Sequence, residues 1–489
     1  MENDNKPNLR LPLSQYKQDE EIKNKDFPLR APGEQLNLTE QKTALYKEVE
    51  ASGTRKPNEK QVERFRMINA AENQAFWQES ENYTDIVSDP EQLAQSLEVD
   101  GEVIKPKRLT PVLHDEGQVL GNAFLQALRA ATKNGGHAED YMYSSGFWLK
   151  IGDFDSEKCF RTASKLKDAR DNIGIATNSI LFSTDDVHIR TVIIDFILDH
   201  VLDSNLQGWQ DRATLEEALV VTDTERLMGL ALDAMYPDGY PLIQDCKNKL
   251  SNEKKCDYIT LPPENKLDEL SKLNFMRTMI LLPHRFGAEQ KRFLRKEKVT
   301  LEEVKDYQEK LLNFNNSSLV IGTYDFGPTK IRLRGKTPSY LQYKAEGLTW
   351  IANVVDVAES LTSPSANKKE EATQRNEHIV SRVRQVMTQR QMCWIERVSM
   401  NGAYTDSRED VESALAILAE DRQLAERVKN DIRKFTKSQI HGLCAIPNWT
   451  CPSCKKTQPD GEEKINLIPI SMSAYFFSIL VVRAYQSTI

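Results

Sequence analysis

The chain has 489 residues, of which 39% are hydrophobic and 28% charged, enough for two or three domains of roughly 150 residues each. A net charge of −8 and a pI near 5.6 argue against a dedicated nucleic-acid binder, which carries a basic face and a high pI. No window approaches the roughly 18 uninterrupted apolar residues of a membrane span, and the opening MENDNKPNLRLPLSQ lacks the apolar centre of a secretory signal, so a soluble protein made in a cytoplasm is expected.

Residues 1–60 are polar and interrupted by Pro7, Pro12, Pro28, Pro32 and Pro57, and read as an extended arm. Helical patterning begins near Glu59, and an amphipathic stretch between Leu109 and Lys133 stops at Asn134-Gly135-Gly136. GFWLKIGDF (Gly146 to Phe154) alternates like a strand. Val192, Ile193, Phe196, Ile197, Val201 and Leu202 then keep the spacing of one helix face. TLEEALVVTDTERLMGLALDAMYPDGYPL gives two more helical pieces, ended by Pro237, Gly239 and Pro241, and a further helix is expected from about Thr300 to Phe314. SSLVIGTYDFGPTKIRLRGKTP (Ser317 to Pro338) reads as a hairpin through Gly327-Pro328. Helices dominate from Ser339 to Lys437, with a capping-box variant at Ser407 and Asp410 and a break at Glu420-Asp421. AYFFSILVVRAY (Ala474 to Tyr485) is expected as a buried helix or strand.

The expected fold is therefore mainly α with small β elements, an α+β class. The N-terminal arm (1–60) precedes a helical lobe (61–315) and a second lobe (316–489) that holds the hairpin and a C-terminal cysteine knuckle.

The seven cysteines, spread thinly and odd in number, do not form a disulfide framework. Cys451-Pro452-Ser453-Cys454 has the C-x-x-C spacing that grips one side of a tetrahedral zinc ion, and two more ligands are then needed. A long-range set adds Cys246 and Cys256, as in a zinc ribbon. A local set adds His441 and Cys444 instead, and a third reading has no metal. Four protein ligands would leave no open position for water, so the site would be structural. A redox role for the knuckle lacks the βαβ context it normally has.

His188, His200 and His284 belong to no metal or catalytic motif and are assigned surface or capping roles. Glu302-Glu303 suits a helix start, with Thr300 and Glu303 at capping-box spacing. The basic stretch HRFGAEQKRFLRKEK (His284 to Lys298) reads as a solvated face. There is no phosphate loop, dinucleotide fingerprint or nucleophile elbow.

The run VIIDFILDHVLDSNLQGW, followed by TLEEALVVTDTERLMGLALDAMYPDGYPL and the Cys246/Cys256 pair, resembles the baseplate hub-type proteins of contractile-tailed bacteriophages. So does LCAIPNWTCPSCKKTQ, where a Cys-Pro-x-Cys knuckle precedes an IPI strand and Phe476-Phe477. The resemblance covers about residues 145 to 485 in pieces. Cys246 and Cys256 are set wider than in that pattern, and Cys444 is an additional thiol. The resemblance implies a non-enzymatic virion protein of the tail or baseplate, or of its assembly. Its partners would be other tail proteins and copies of itself, with no membrane, no small-molecule substrate and no expected role for nucleic acid. The alternative is a zinc-ribbon protein that binds nucleic acid in phage transcription or replication.

Overall fold

The computed structural model describes residues 92–106, 137–152, 187–236, 275–316, 318–364 and 389–447, together with short pieces between them and, towards the C-terminus, 454–455, 467–470, 472–473 and 476. The expected arm (1–60), the amphipathic stretch at 109–133 and Cys246, Cys256 and Cys451 lie outside the described residues. Helices and antiparallel strands alternate along the chain, an α+β arrangement.

A short hairpin, β1 (Glu98–Val99) and β2 (Glu102–Val103), turns through Asp100 and Gly101, both at positive φ. Next, β3 (His137–Met142), β4 (Phe147–Gly152) and β5 (Val201–Ser204) form an antiparallel sheet in the order β3-β4-β5. All six residues of β4 are buried, so both of its faces are covered. Helix α1 (Val187–Leu198) lies between β4 and β5 in sequence. The apolar period predicts helix through Leu202, but the chain leaves the helix after Leu198 and Val201–Ser204 is strand. The β4 ladder supplies partners for that backbone, and pairing outweighs the continued apolar period.

Two helices follow, α2 (Arg212–Ala218), capped by the Asp211 side chain on Thr214 N, and α3 (Thr224–Met235). β6 (Tyr240–Pro241) pairs with β7 (Lys272–Leu273). After β8 (Met279–Leu281) come α4 (Ala288–Phe293) and α5 (Leu301–Asn315), whose start carries the expected capping box between Thr300 and Glu303 in both directions. Gly229 lets α3 approach β8 closely: a Cβ there would collide with Met279 Cε.

The expected hairpin is β9 (Val320–Phe326) and β10 (Thr329–Gly335), with Gly327 at φ +61° in its turn. Helix α6 (Tyr340–Leu361) follows, and a second hairpin of β11 (Ile395–Met400) and β12 (Ala403–Thr405) completes a sheet ordered β12-β11-β10-β9. Helices α7 (Arg408–Glu420) and α8 (Arg422–Ser438) separate at Asp421, whose side chain caps α8 through Gln423 N and Leu424 N. The expected cap at Ser407 is not made; Asp410 instead accepts from Thr405 Oγ1 at 2.7 Å, which ties α7 to β12.

A third sheet, β14-β13-β8, is built from β13 (Gly442–Pro447) and β14 (Leu467–Pro469) against β8. It joins residues from both halves of the chain, and one apolar core runs from Met142 and Phe147 through α1 and α3 to Leu415, Ile432 and Phe476. Among the described residues, no helix is long and apolar enough to cross a membrane.

Candidate functional site

The densest cluster of polar chemistry surrounds the turn between β3 and β4. Tyr143, Ser144, Ser145 and Gly146 are all buried, whereas connecting turns normally lie at the surface, where water satisfies their backbone. Here the partners are side chains. Asp223 accepts from Ser144 N (3.2 Å), Ser145 N (2.7 Å) and Ser145 Oγ (2.7 Å). Ser145 Oγ in turn accepts from Val220 N at 3.0 Å. From α5, Tyr307 donates its hydroxyl to Tyr143 O at 2.7 Å, and Gln308 donates to Ser145 O and Ala218 O. Gly146 sits at φ +91°, and a Cβ there would lie 2.5 Å from Tyr307 Cδ1, so the turn needs glycine on both counts.

Two charged groups flank the turn. Arg226 pairs with Asp140, donates Nε to Tyr141 O at 3.0 Å and lies 4.6 Å from the centre of the Tyr143 ring. Burial lifts the Asp140 carboxyl above its ordinary range, while the Arg226 charge pulls it back. Burial likewise lifts Asp223, opposed by its hydrogen bonds from Ser145 and Ser144.

His441 closes the far side of the turn, with Nδ1 3.0 Å from Ser144 Oγ and Nε2 3.2 Å from Asn315 Nδ2. The Asn315 amide nitrogen also donates to Arg285 O and Leu311 O, which fixes its orientation. Both ring nitrogens of His441 thus meet polar partners inside the fold. Burial, with Arg285 nearby, pushes the His441 pKa down to about 3.

Of the local metal set, His441 and Cys444 face different surroundings. Both ring nitrogens of His441 face partners inside the fold, and three residues further on Cys444 points to the opposite side of the chain, buried in the main core. Cys454 is half-buried; Cys246, Cys256 and Cys451 fall outside the described residues. No group of three or more His, Cys, Asp or Glu among the described residues is arranged to hold a metal. β8 and β13 are antiparallel, with Met279 opposite Cys444, so the chain enters β8 at the same end of that sheet at which it leaves β13.

His200 takes the capping rather than the surface alternative: it is buried, its ring 4.7 Å from those of Phe154 and Phe196 and its Nδ1 2.7 Å from Phe196 O near the end of α1. The His284–Lys298 stretch is partly engaged internally. Arg285 donates to three carbonyls at the end of α8, and Arg295 to Val99 O and Glu102. Sequence reasoning missed Asp223, because a lone aspartate before a helix reads as an ordinary cap. It also missed Ser144 and Ser145, whose partners lie 75 to 297 residues away. No family model, curated protein or solved structure matches the chain.

Asp223→Ala leaves two buried N–H groups and a hydroxyl without their acceptor, each at about 1–3 kcal/mol, so the unfolding free energy should fall by roughly 3 kcal/mol or more. Asp223→Asn, which keeps one acceptor oxygen, should lose less. Urea unfolding of the two variants beside the parent chain tests the order. His441 gives a second expectation. Its pKa falls from 6.5 to about 3 on folding, so the unfolded chain binds the proton first and stability declines as pH drops below about 6.5. The slope from this group is about 1.4 kcal/mol per pH unit. His441→Gln should flatten the dependence of the urea midpoint between about pH 6.5 and pH 4.5.

Proposed function

We propose that this chain is a non-enzymatic structural protein of a contractile-tailed phage, part of the tail or baseplate or of its assembly, and that it acts through packing against neighbouring proteins. The observation that carries this reading is how the two halves of the resembling sequence meet. The IPI segment pairs in β14, Ile470 N donates to Cys444 O, and Met472 N and Ser473 Oγ donate to Glu225 at the start of α3. Phe476 is fully buried and meets Phe196 of α1 edge-on at 6.1 Å. Segments more than 200 residues apart in sequence thus form one unit. Further support comes from the polar cluster, whose hydroxyls and His441 are engaged in holding a turn.

A structural zinc on Cys246, Cys256, Cys451 and Cys454 belongs to the same reading, supported by the C-x-x-C spacing of Cys451 and Cys454 and by the resemblance that pairs them with Cys246 and Cys256. Such an ion would clamp two distant segments together, and its binding energy would contribute to folding.

Two measurements test these statements. In lysates where the chain is made with its phage, it should band with tailed particles or tail precursors in a density gradient. A chain that remains soluble throughout, in neither, overturns the reading. The purified full chain should contain one zinc per molecule, lost in Cys246→Ser. Zinc retained in that variant, or absent from the parent, rejects the four-cysteine set.

A further inference from the structure

The sheet β12-β11-β10-β9 is backed by α7 and α8 on one face, where Tyr324, Leu333 and Val398 are buried. The register defines its other face. Arg332 on β10 stands between Thr323 of β9 and Ser399 of β11, and Ser399 stands beside Tyr404 of β12. One step along that face of β10, Arg334 faces Arg397 directly. Like charges in directly opposed positions destabilise a sheet. The irregularity next to Arg334 partly relieves this, because Glu396 also meets Arg334, at 2.6 Å. Arg332 and Arg397 have no carboxylate partner among the described residues. Arg397 lies instead over the Tyr404 ring at 4.7 Å, and that residue is 63% exposed.

We propose that this open sheet face binds single-stranded nucleic acid. Arg332 and Arg397 would contact phosphates, Thr323 and Ser399 would add hydroxyl donors, and a base would stack on Tyr404. The charge is complementary, and it is local: residues 316–447 carry more Lys and Arg than Asp and Glu, against the balance of the whole chain. Phosphate contacts supply affinity that depends on salt, while aromatic rings take the flat faces of unpaired bases whatever their sequence. The Tyr404 ring is what favours nucleic acid over an acidic peptide. A carboxylate needs only the arginines, whereas a flat ring held by a guanidinium on an exposed sheet offers a surface for stacking.

The test is fluorescence anisotropy of a labelled oligothymidylate of about 30 nucleotides, titrated with the full chain at several salt concentrations. Binding should weaken steeply as salt rises. Replacing both arginines, Arg332→Ala with Arg397→Ala, should lower affinity about tenfold or more and flatten the salt dependence. Tyr404→Ala should lower affinity with the salt dependence unchanged, and Tyr404→Phe should retain it. Arg332 and Tyr404 are exposed and Arg397 is half-buried, and an unchanged unfolding midpoint will show that the variants fold. Absence of binding at about 50 mM salt, or full binding by the double variant, overturns the proposal. So does displacement by polyglutamate as effective as by unlabelled oligonucleotide together with a neutral Tyr404→Ala, which would assign the face to an acidic protein.

Discussion

The structure depends on the grip of Asp223 on the Ser144-Ser145 backbone. A hairpin turn placed in the interior has to find a partner for every N–H and C=O it removes from water. The turn between β3 and β4 meets that requirement with groups from separate parts of the chain: Asp223 ahead of α3, Tyr307 and Gln308 on α5, and His441 at the start of β13. Each of these elements is thereby located relative to β4, which is itself buried on both faces. The polar cluster does what an apolar contact cannot, because hydrogen bonds have direction and fix one arrangement. Its low local dielectric makes the satisfied bonds stronger and any missing one costly.

What can be read in the sequence follows the range of the interactions. The capping box at Thr300, the β9-β10 hairpin and the break at Asp421 depend on residues within a few positions of one another, and each forms as expected. The end of α1 does not, because β5 is strand only through its pairing with β4, some 50 residues away. The failed cap at Ser407 has the same origin: Asp410 is drawn off by Thr405, which the second hairpin delivers. His441 shows the limit most clearly. Its spacing to Cys444 suits a metal pair, yet an offset of three in an extended segment sends the two side chains to opposite sides. Nothing in the local sequence indicates that Ser144 and Asn315 will take both ring nitrogens.

Net charge is a poor guide for a related reason. A balance of −8 speaks against polyanions, and the one conspicuous basic run, His284 to Lys298, has the composition of a solvated face. In the fold Arg285 caps the end of α8 and Arg295 fixes β1, so part of that run is structural. The cations on the open sheet come from two strands about 60 residues apart in sequence and are brought onto one face only by the β10-β11 register. An electrostatic surface is a property of the ladder, and a one-residue slip would send Arg332, Arg334 and Arg397 to the other side.

The buried turn and the open sheet therefore carry opposite kinds of chemistry. Around the turn, hydroxyls and charges are spent on holding the fold, and the imidazole is kept neutral by burial. On the sheet, two arginines are set against each other and an aromatic ring stands in solvent, an arrangement that costs stability. Glu396 offsets part of that cost at Arg334, so Arg332 and Arg397, together with the Tyr404 ring, are the groups the proposed ligand would meet.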